Sequence, residues 1–221
     1  MTDHDEFLKA IAAGDLPRVE AMLRDRSLAT AMTDDDLPAL IYALHKGHPG
    51  IARAIASRLP SMTLHEAAAL GDLDRVRGAV TLRPSELNAP GPDGNTPLGS
   101  AVRFGNLEVA RYLLEQGASP NMAGGSAIPP LHTAITLDPA SVAAAFVELL
   151  LNAGADAAIK ITGGWTPLHA AAAMGYRGVA GTLIDHGAAR TAKAENEKTP
   201  ADVAAEFGFD SIAAWLSEGN D

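Results

Sequence analysis

One pattern of residues recurs along this chain, and that repetition restricts the fold more than any other feature. From Asp93 the chain reads D-G-N-T-P-L-G-S-A-V-R-F-G-N-L-E-V-A-R-Y-L-L-E-Q-G-A-S-P-N; from Gly163 it reads G-G-W-T-P-L-H-A-A-A-A-M-G-Y-R-G-V-A-G-T-L-I-D-H-G-A-A. With the Leu of T-P-L as register mark, equivalent positions fall at Phe7, Leu40, Leu64, Leu98, Leu131, Leu168 and Ala201. The intervals are 33, 24, 34, 33, 37 and 33 residues, and a recurring period of this size marks a stack of small units, each unable to bury its apolar face by itself. About seven units follow, at approximately 4–33, 34–60, 61–92, 93–125, 126–161, 162–195 and 196–221, forming one domain over 1–221.

The residues within a unit predict two short helices. Thr96-Pro97, Thr166-Pro167 and Thr199-Pro200 supply a hydroxyl N-cap followed by proline at the first helical position, where no N–H is needed. Gly47, Gly71, Gly105, Gly175 and Gly208 end each first helix in a left-handed conformation. Second helices carry apolar residues at helical spacing, as in Ala110, Leu113 and Leu114 or Ala180, Leu183 and Ile184. Gly117, Gly154 and Gly187 end these, and Asp93-Gly94 and Gly163-Gly164 mark turns at the tips of connecting hairpins. Apolar residues make up 47% of the chain but aromatics only 5%, which suits an Ala- and Leu-built core of closely packed helices.

These passages resemble the ankyrin repeat, whose signature is T-P-L-H-x-A-A, then x-x-G, then an apolar helix ending in G-A. The resemblance covers essentially the whole chain and is nearest to freestanding bacterial ankyrin-repeat proteins. It implies an all-α solenoid, a curved stack of helix-turn-helix units with hairpin loops. It also implies a non-enzymatic module that binds a partner polypeptide in a concave groove. Contact residues in the family lie at the hairpin tips and at the two positions before the glycine of the first helix. Carried over, those pairs are His45 and Lys46, Ala69 and Leu70, Arg103 and Phe104, Ala173 and Met174, and in the irregular fifth unit Thr136 and Leu137. Leu70, Phe104, Leu137 and Met174 are then expected to form an apolar stripe, flanked by Asn95, Ile128 and Trp165 at the tips. Phe104, Trp165 and Met174 would anchor a partner, with Arg103 and Asn95 giving direction through hydrogen bonds. The competing reading of Trp165 is a brace for its own hairpin.

Departures from the pattern carry expectations of their own. The 24-residue step between Leu40 and Leu64 leaves no room for a hairpin, so the helix near residues 51–59 runs almost directly into the third unit. The 37-residue step after Leu131 holds four extra residues near 136–141, where Pro139 halts the first helix and leaves a longer loop or an altered second helix. Helix caps are expected to be degraded at Pro38-Ala39, Met62-Thr63 and Pro129-Pro130. The end units read as polar caps: Lys9, Asp15, Arg18, Glu20 and Arg24 at the start, Ser217-Glu218-Gly219-Asn220-Asp221 at the end.

Other functions find little support. A net charge of −10 opposes binding to nucleic acid or an anionic membrane, both of which require clustered Lys and Arg. With no cysteine there are no disulfides or thiolate metal sites. The acidic start Met1-Thr2-Asp3-His4-Asp5-Glu6 is unlike a secretory signal, so a cytoplasmic, monomeric protein without cofactor is expected. His65, His132 and His169 share the T-P-L-H slot, where the family's imidazole is structural. Stacked units set them about 10 Å apart, too far to share an ion. Gly124-Gly125 and Gly163-Gly164 lack the Lys-Ser/Thr of a phosphate loop. Two alternatives stand beside the binding module: a homodimer through the apolar stripe and, more remotely, a metal-dependent hydrolase using His132, Asp138 and His169.

Overall fold

The computed structural model describes residues 2–124 and 128–218; Met1, Gly125 and the end of the polar tail, Gly219 to Asp221, lie outside the described residues. The described helices follow one another in pairs: α1 (Asp3–Ala12) and α2 (Leu16–Met22), α3 (Ala39–His45) and α4 (Pro49–Ala56), α5 (Leu64–Leu70) and α6 (Leu73–Leu82), α7 (Pro97–Arg103) and α8 (Leu107–Glu115), α9 (Pro130–Ile135) and α10 (Ala140–Asn152), α11 (Pro167–Ala173) and α12 (Arg177–Asp185), α13 (Pro200–Glu206) and α14 (Asp210–Ser217). Two 3-10 turns, at Arg26–Thr30 and Pro84–Glu86, and one isolated bridge between Met32 and Pro38 are also present. The all-α expectation holds. Packing divides the chain into two compact units, Met1–Ala110 and Arg111–Asp221.

In the first unit α1 packs on α3, α3 on α5 and α5 on α7, while α2 packs on α4. Phe7, Ile11, Leu23, Leu40 and Ile55 are sealed between these layers. In the second unit α9 packs on α11, α11 on α13 and α10 on α12, around Leu131, Ile135, Phe146, Leu150, Leu168 and Leu183. Helices of seven residues are too short to persist in water. Each fully buried Leu, Ile or Phe contributes about 1.5–3 kcal/mol, so layering holds these helices in place.

Helix starts follow the sequence with one correction. Thr96 and Thr199 cap α7 and α13 with their hydroxyls, and Pro97 and Pro200 occupy the first helical turn. Pro38 and Pro129 provide no side-chain cap, as expected. The cap at Thr63, expected to be degraded, is complete: its hydroxyl accepts from Glu66 N–H at 3.2 Å, and the Glu66 carboxylate accepts from Thr63 N–H at 2.8 Å. Helix α5 begins one residue later than its counterparts, so Thr63 takes the position that proline fills elsewhere.

The irregular intervals resolve into specific changes. Only residues 57–63 separate α4 from α5, so the hairpin is missing there. After Pro139, α10 runs for 13 residues against 9 in α8 and α12, so the extra length went into the second helix. The polar residues expected to cap the first unit, Lys9, Asp15, Arg18, Glu20 and Arg24, are exposed, as are Ser217 and Glu218.

One five-residue turn recurs at the hairpin tips. Its first N–H donates to the fifth carbonyl and its fourth N–H to the first carbonyl, at residues 33–37, 91–95, 161–165 and 194–198. The fourth position has positive φ, filled by Gly94 and Gly164 but also by Asp36 and Glu197. A Cβ on Gly164 would lie 2.9 Å from Glu195 N, because Glu195 N–H donates to Gly163 O at 2.9 Å and draws the two turns together.

A second tie uses the residue after the glycine of each first helix. Asn106 Nδ2 donates to Ala68 O and Ala69 O, at 2.9 and 2.7 Å, satisfying the carbonyl end of α5. In the second unit the Tyr176 hydroxyl donates to Leu137 O at 3.2 Å, and the Phe209 ring covers Gly175. His48 covers Gly14 in the same way in the first unit.

Two substitutions test these ties. Gly164→Ala, strained at φ 72° and crowded by backbone, is expected to lower unfolding free energy by about 2 kcal/mol or more in urea titration. Asn106→Ala is expected to cost about 1–2 kcal/mol. An unchanged midpoint in either variant would mean that its tie is not formed.

Candidate protein-binding surface

In the first unit Leu70 is the last residue of α5, Arg103 is the last of α7, and Phe104 is the C-cap of α7. Arg103 is exposed; Leu70 and Phe104 are half-buried and rest partly on the unit's core. The Phe104 ring meets His45 edge-on, with centroids 5.3 Å apart at 72°. His45 Nε2 lies 3.9 Å from Asp93 Oδ2. Burial pushes the Asp93 carboxyl up, but the His45 imidazole and the Asn95 amide and N–H outweigh it and hold it at about 2.

Asn95 requires a correction. Expected at a hairpin tip, it is only 7% exposed. Its backbone N–H and Nδ2 donate to the two oxygens of Asp93 at 3.0 and 2.8 Å. A side chain committed in this way braces the turn.

In the second unit Leu137 and Met174 stand just past the ends of α9 and α11, which pack together; both are half-buried. Ile128 is 45% exposed. Trp165 is half-buried, its ring 6.0 Å from that of His169, so it leans on the turn as well as facing solvent. Phe207, 54% exposed, is the C-cap of α13 and stands immediately before Gly208. It occupies the slot of Phe104 and Met174, and applying the pair-before-glycine rule to Gly208 would have found it. Leu82, 80% exposed at the end of α6, had no such signal, since it sits off the apolar stripe of Val76, Ala79 and Val80.

The three histidines of the shared slot face backbone. Nε2 lies 2.6 Å from Ala89 O in His65, 3.3 Å from Trp165 O in His132 and 3.1 Å from Lys198 O in His169. A carbonyl only accepts, so each Nε2 carries a proton. The Nδ1 of His169 is filled by Thr166, whose hydroxyl and N–H lie at 2.8 and 3.2 Å. Among the described residues the Nδ1 of His132 is buried without a partner, because Pro129 stands where Thr166 does and has neither N–H nor hydroxyl. Burial lowers the pKa of both imidazoles, opposed by the Trp165 carbonyl at His132 and the Lys198 carbonyl at His169. The Lys160 charge lowers that of His169 further. Asp138, the third member of the remote hydrolase reading, is exposed beyond α9. Among the described residues no three His, Asp or Glu side chains gather to hold a metal.

A family model described as ankyrin repeats (3 copies) matches residues 7–124, 64–160 and 131–221. The chain belongs to the ankyrin-repeat family. Its all-α fold is therefore that family's repeat solenoid. Over 92% of its length it is 27% identical to the human ankyrin repeat and SOCS box protein 16, spanning 59% of that protein. A putative ankyrin repeat protein of Rickettsia felis is 43% identical over 35% of this chain and 33% of its own length. The human DNA-binding protein RFXANK is 38% identical over 31% of this chain and 26% of its own length. The chain thus spans about a quarter to three-fifths of these relatives. No described helix is long and apolar enough to cross a membrane.

Two outcomes follow for the ankyrin histidines. Pro129→Thr supplies the missing donors to His132 and is expected to raise unfolding free energy by about 1 kcal/mol; no gain would contradict the assigned orphan nitrogen. His132 and His169 bind protons more weakly folded than unfolded, so their contribution is complete above the unfolded value of 6.5 and is lost as pH falls through their folded values. Chemical denaturation from pH 7.5 to 5 is expected to show that decline, and a His132→Gln, His169→Gln variant should flatten it.

Proposed function

We propose that this ankyrin-repeat chain is a non-enzymatic module that captures a partner polypeptide through the hairpin tips and first-helix ends of its units. Ankyrin repeats mediate protein–protein interaction, and the placement of apolar side chains supports the specific surface. Leu70 and Phe104 in the first unit, and Leu137, Trp165 and Met174 in the second, are half-buried at positions where solvated residues would cost nothing. Ile128 and Phe207 add exposed apolar area, and Arg103 supplies a charged donor beside Phe104. Side chains of these types dominate the energetics of protein interfaces.

The single observation that carries this reading is Phe104, held edge-on against His45 over the ionised Asp93. The ring is fixed before any partner arrives, so little side-chain entropy is lost on docking. One relative is named a DNA-binding protein; here the net charge of −10 favours a polypeptide over a phosphate backbone. The module is monomeric and cytoplasmic in this proposal, a setting in which a chain without cysteine needs no oxidising environment.

Affinity capture from the native cell, comparing wild type with Phe104→Glu and Met174→Glu, tests the surface. Both variants should melt as wild type does and lose the captured partner by about tenfold or more. Undiminished capture by both would remove these residues from the site. Light scattering at micromolar concentration is expected to give the 22.8 kDa monomer; a dimer disrupted by Phe104→Glu would favour self-association.

A further inference from the structure

The missing hairpin between α4 and α5 leaves a groove on the first unit, away from the first-helix ends. Its volume is about 360 Å³, and its walls are the short link, through Leu59, Pro60 and Met62, and one face of α6. That face carries Arg75, Gly78, Leu82 and Arg83. Leu82 is 80% exposed, and a Cβ added to Gly78 would meet nothing within 4 Å. The floor is therefore small and apolar, one wall ends in an uncovered leucine, and a guanidinium stands at each end.

Charge selects the occupant. No acidic residue among the described ones lines the groove, and residues 53–86 hold Arg53, Arg58, Arg75, Arg77 and Arg83 against Glu66, Asp72, Asp74 and Glu86 in a chain of net charge −10. Arg75 and Arg83 each pair with one local carboxylate, Asp72 at 3.3 Å and Glu86 at 3.1 Å, all partly exposed. Such surface pairs contribute little and exchange readily, and a guanidinium has five N–H donors to share. Arg75 also reaches across to the Met62 sulfur, which keeps it at the mouth of the groove.

We propose that this groove binds an extended acidic peptide segment carrying a central leucine-sized side chain, with carboxylates two residues to either side. Arg75 lies in the first turn of α6 and Arg83 is the C-cap, eight residues on and about 12 Å along the helix axis. In an extended chain, residues i, i+2 and i+4 share a face and span about 13 Å. An acidic-x-apolar-x-acidic segment therefore sets its two carboxylates on the two arginines while the apolar side chain drops over Gly78 beside Leu82. Backbone following the link is compatible with this placement, because no hairpin occupies the space.

The probe is a dye-labelled Glu-Ser-Leu-Ser-Glu peptide, followed by fluorescence anisotropy with the full chain. It is expected to bind at least about tenfold more tightly than Lys-Ser-Leu-Ser-Lys or Glu-Ser-Ala-Ser-Glu. Gly78→Phe fills the groove at a helical position where glycine is the poorer helix former. This variant should melt no lower than wild type and bind about tenfold more weakly. An Arg75→Gln, Arg83→Gln variant should lose the preference for the acidic peptide. Equal binding of the acidic and basic peptides, undetectable binding, or full binding by Gly78→Phe would overturn the proposal. A concentration-dependent dimer abolished by Gly78→Phe would overturn it in favour of a second copy of the chain.

Discussion

A helix of six or seven residues forms too few internal hydrogen bonds to offset the cost of its own nucleation, and α2, α3, α5, α7, α9, α11 and α13 are all this short. They exist here because each lies against a neighbour of the same kind, α3 between α1 and α5, α11 between α9 and α13. The small side chains that make this possible, Ala67 and Ala68 or Ala171 and Ala172, are fully enclosed, and the larger ones fill the spaces between layers. Stability in such a stack is carried by each unit and its immediate neighbours.

Polar groups reinforce those interfaces by a common device. Instead of pairing side chain with side chain, the chain directs imidazole, amide and phenol groups onto backbone carbonyls, His65 to Ala89 within its own repeat and the others to the adjacent one: His132 to Trp165, His169 to Lys198, Asn106 to Ala68 and Ala69, Tyr176 to Leu137. A backbone carbonyl is present whatever residue supplies it, so the surface residues around each tie are free to differ. This explains how one architecture carries Phe104 and Arg103 on one unit and Trp165 and Met174 on another without altering the helices beneath. It also explains why histidines that look catalytic in the sequence are fixed and turned inward.

The architecture was legible because its signals are local. A threonine before a proline, a glycine seven residues after the register leucine and an apolar stripe at helical spacing each act within a single turn of helix. What escaped the sequence depended on distance or on a shift of one residue. The full cap at Thr63 follows from Glu66 lying three residues on, and was obscured by aligning Thr63 with a proline slot. Asn95 was placed at a tip because its neighbours are tip residues, yet Asp93, two residues back, captures both of its donors. The link between Asn106 and the end of α5 spans 38 residues, and nothing in either stretch announces it. Leu82 is exposed beside the short link between α4 and α5, a neighbour in space that its own stretch of sequence does not reveal.

Polar side chains are thus turned to fastening repeats together, and the first-helix ends and the groove beside α6 are the surfaces proposed for recognition. The ties rest on the protonation of two of the rings. Long-range nitrogen–proton NMR on histidine-labelled protein at pH 7.5 reads the tautomers of His132 and His169 directly. The account predicts a neutral ring with the proton on Nε2 in both, each engaged with a neighbouring repeat. A proton on Nδ1, or rings that interconvert freely, would show that the imidazoles do not tie the stack and would contradict it.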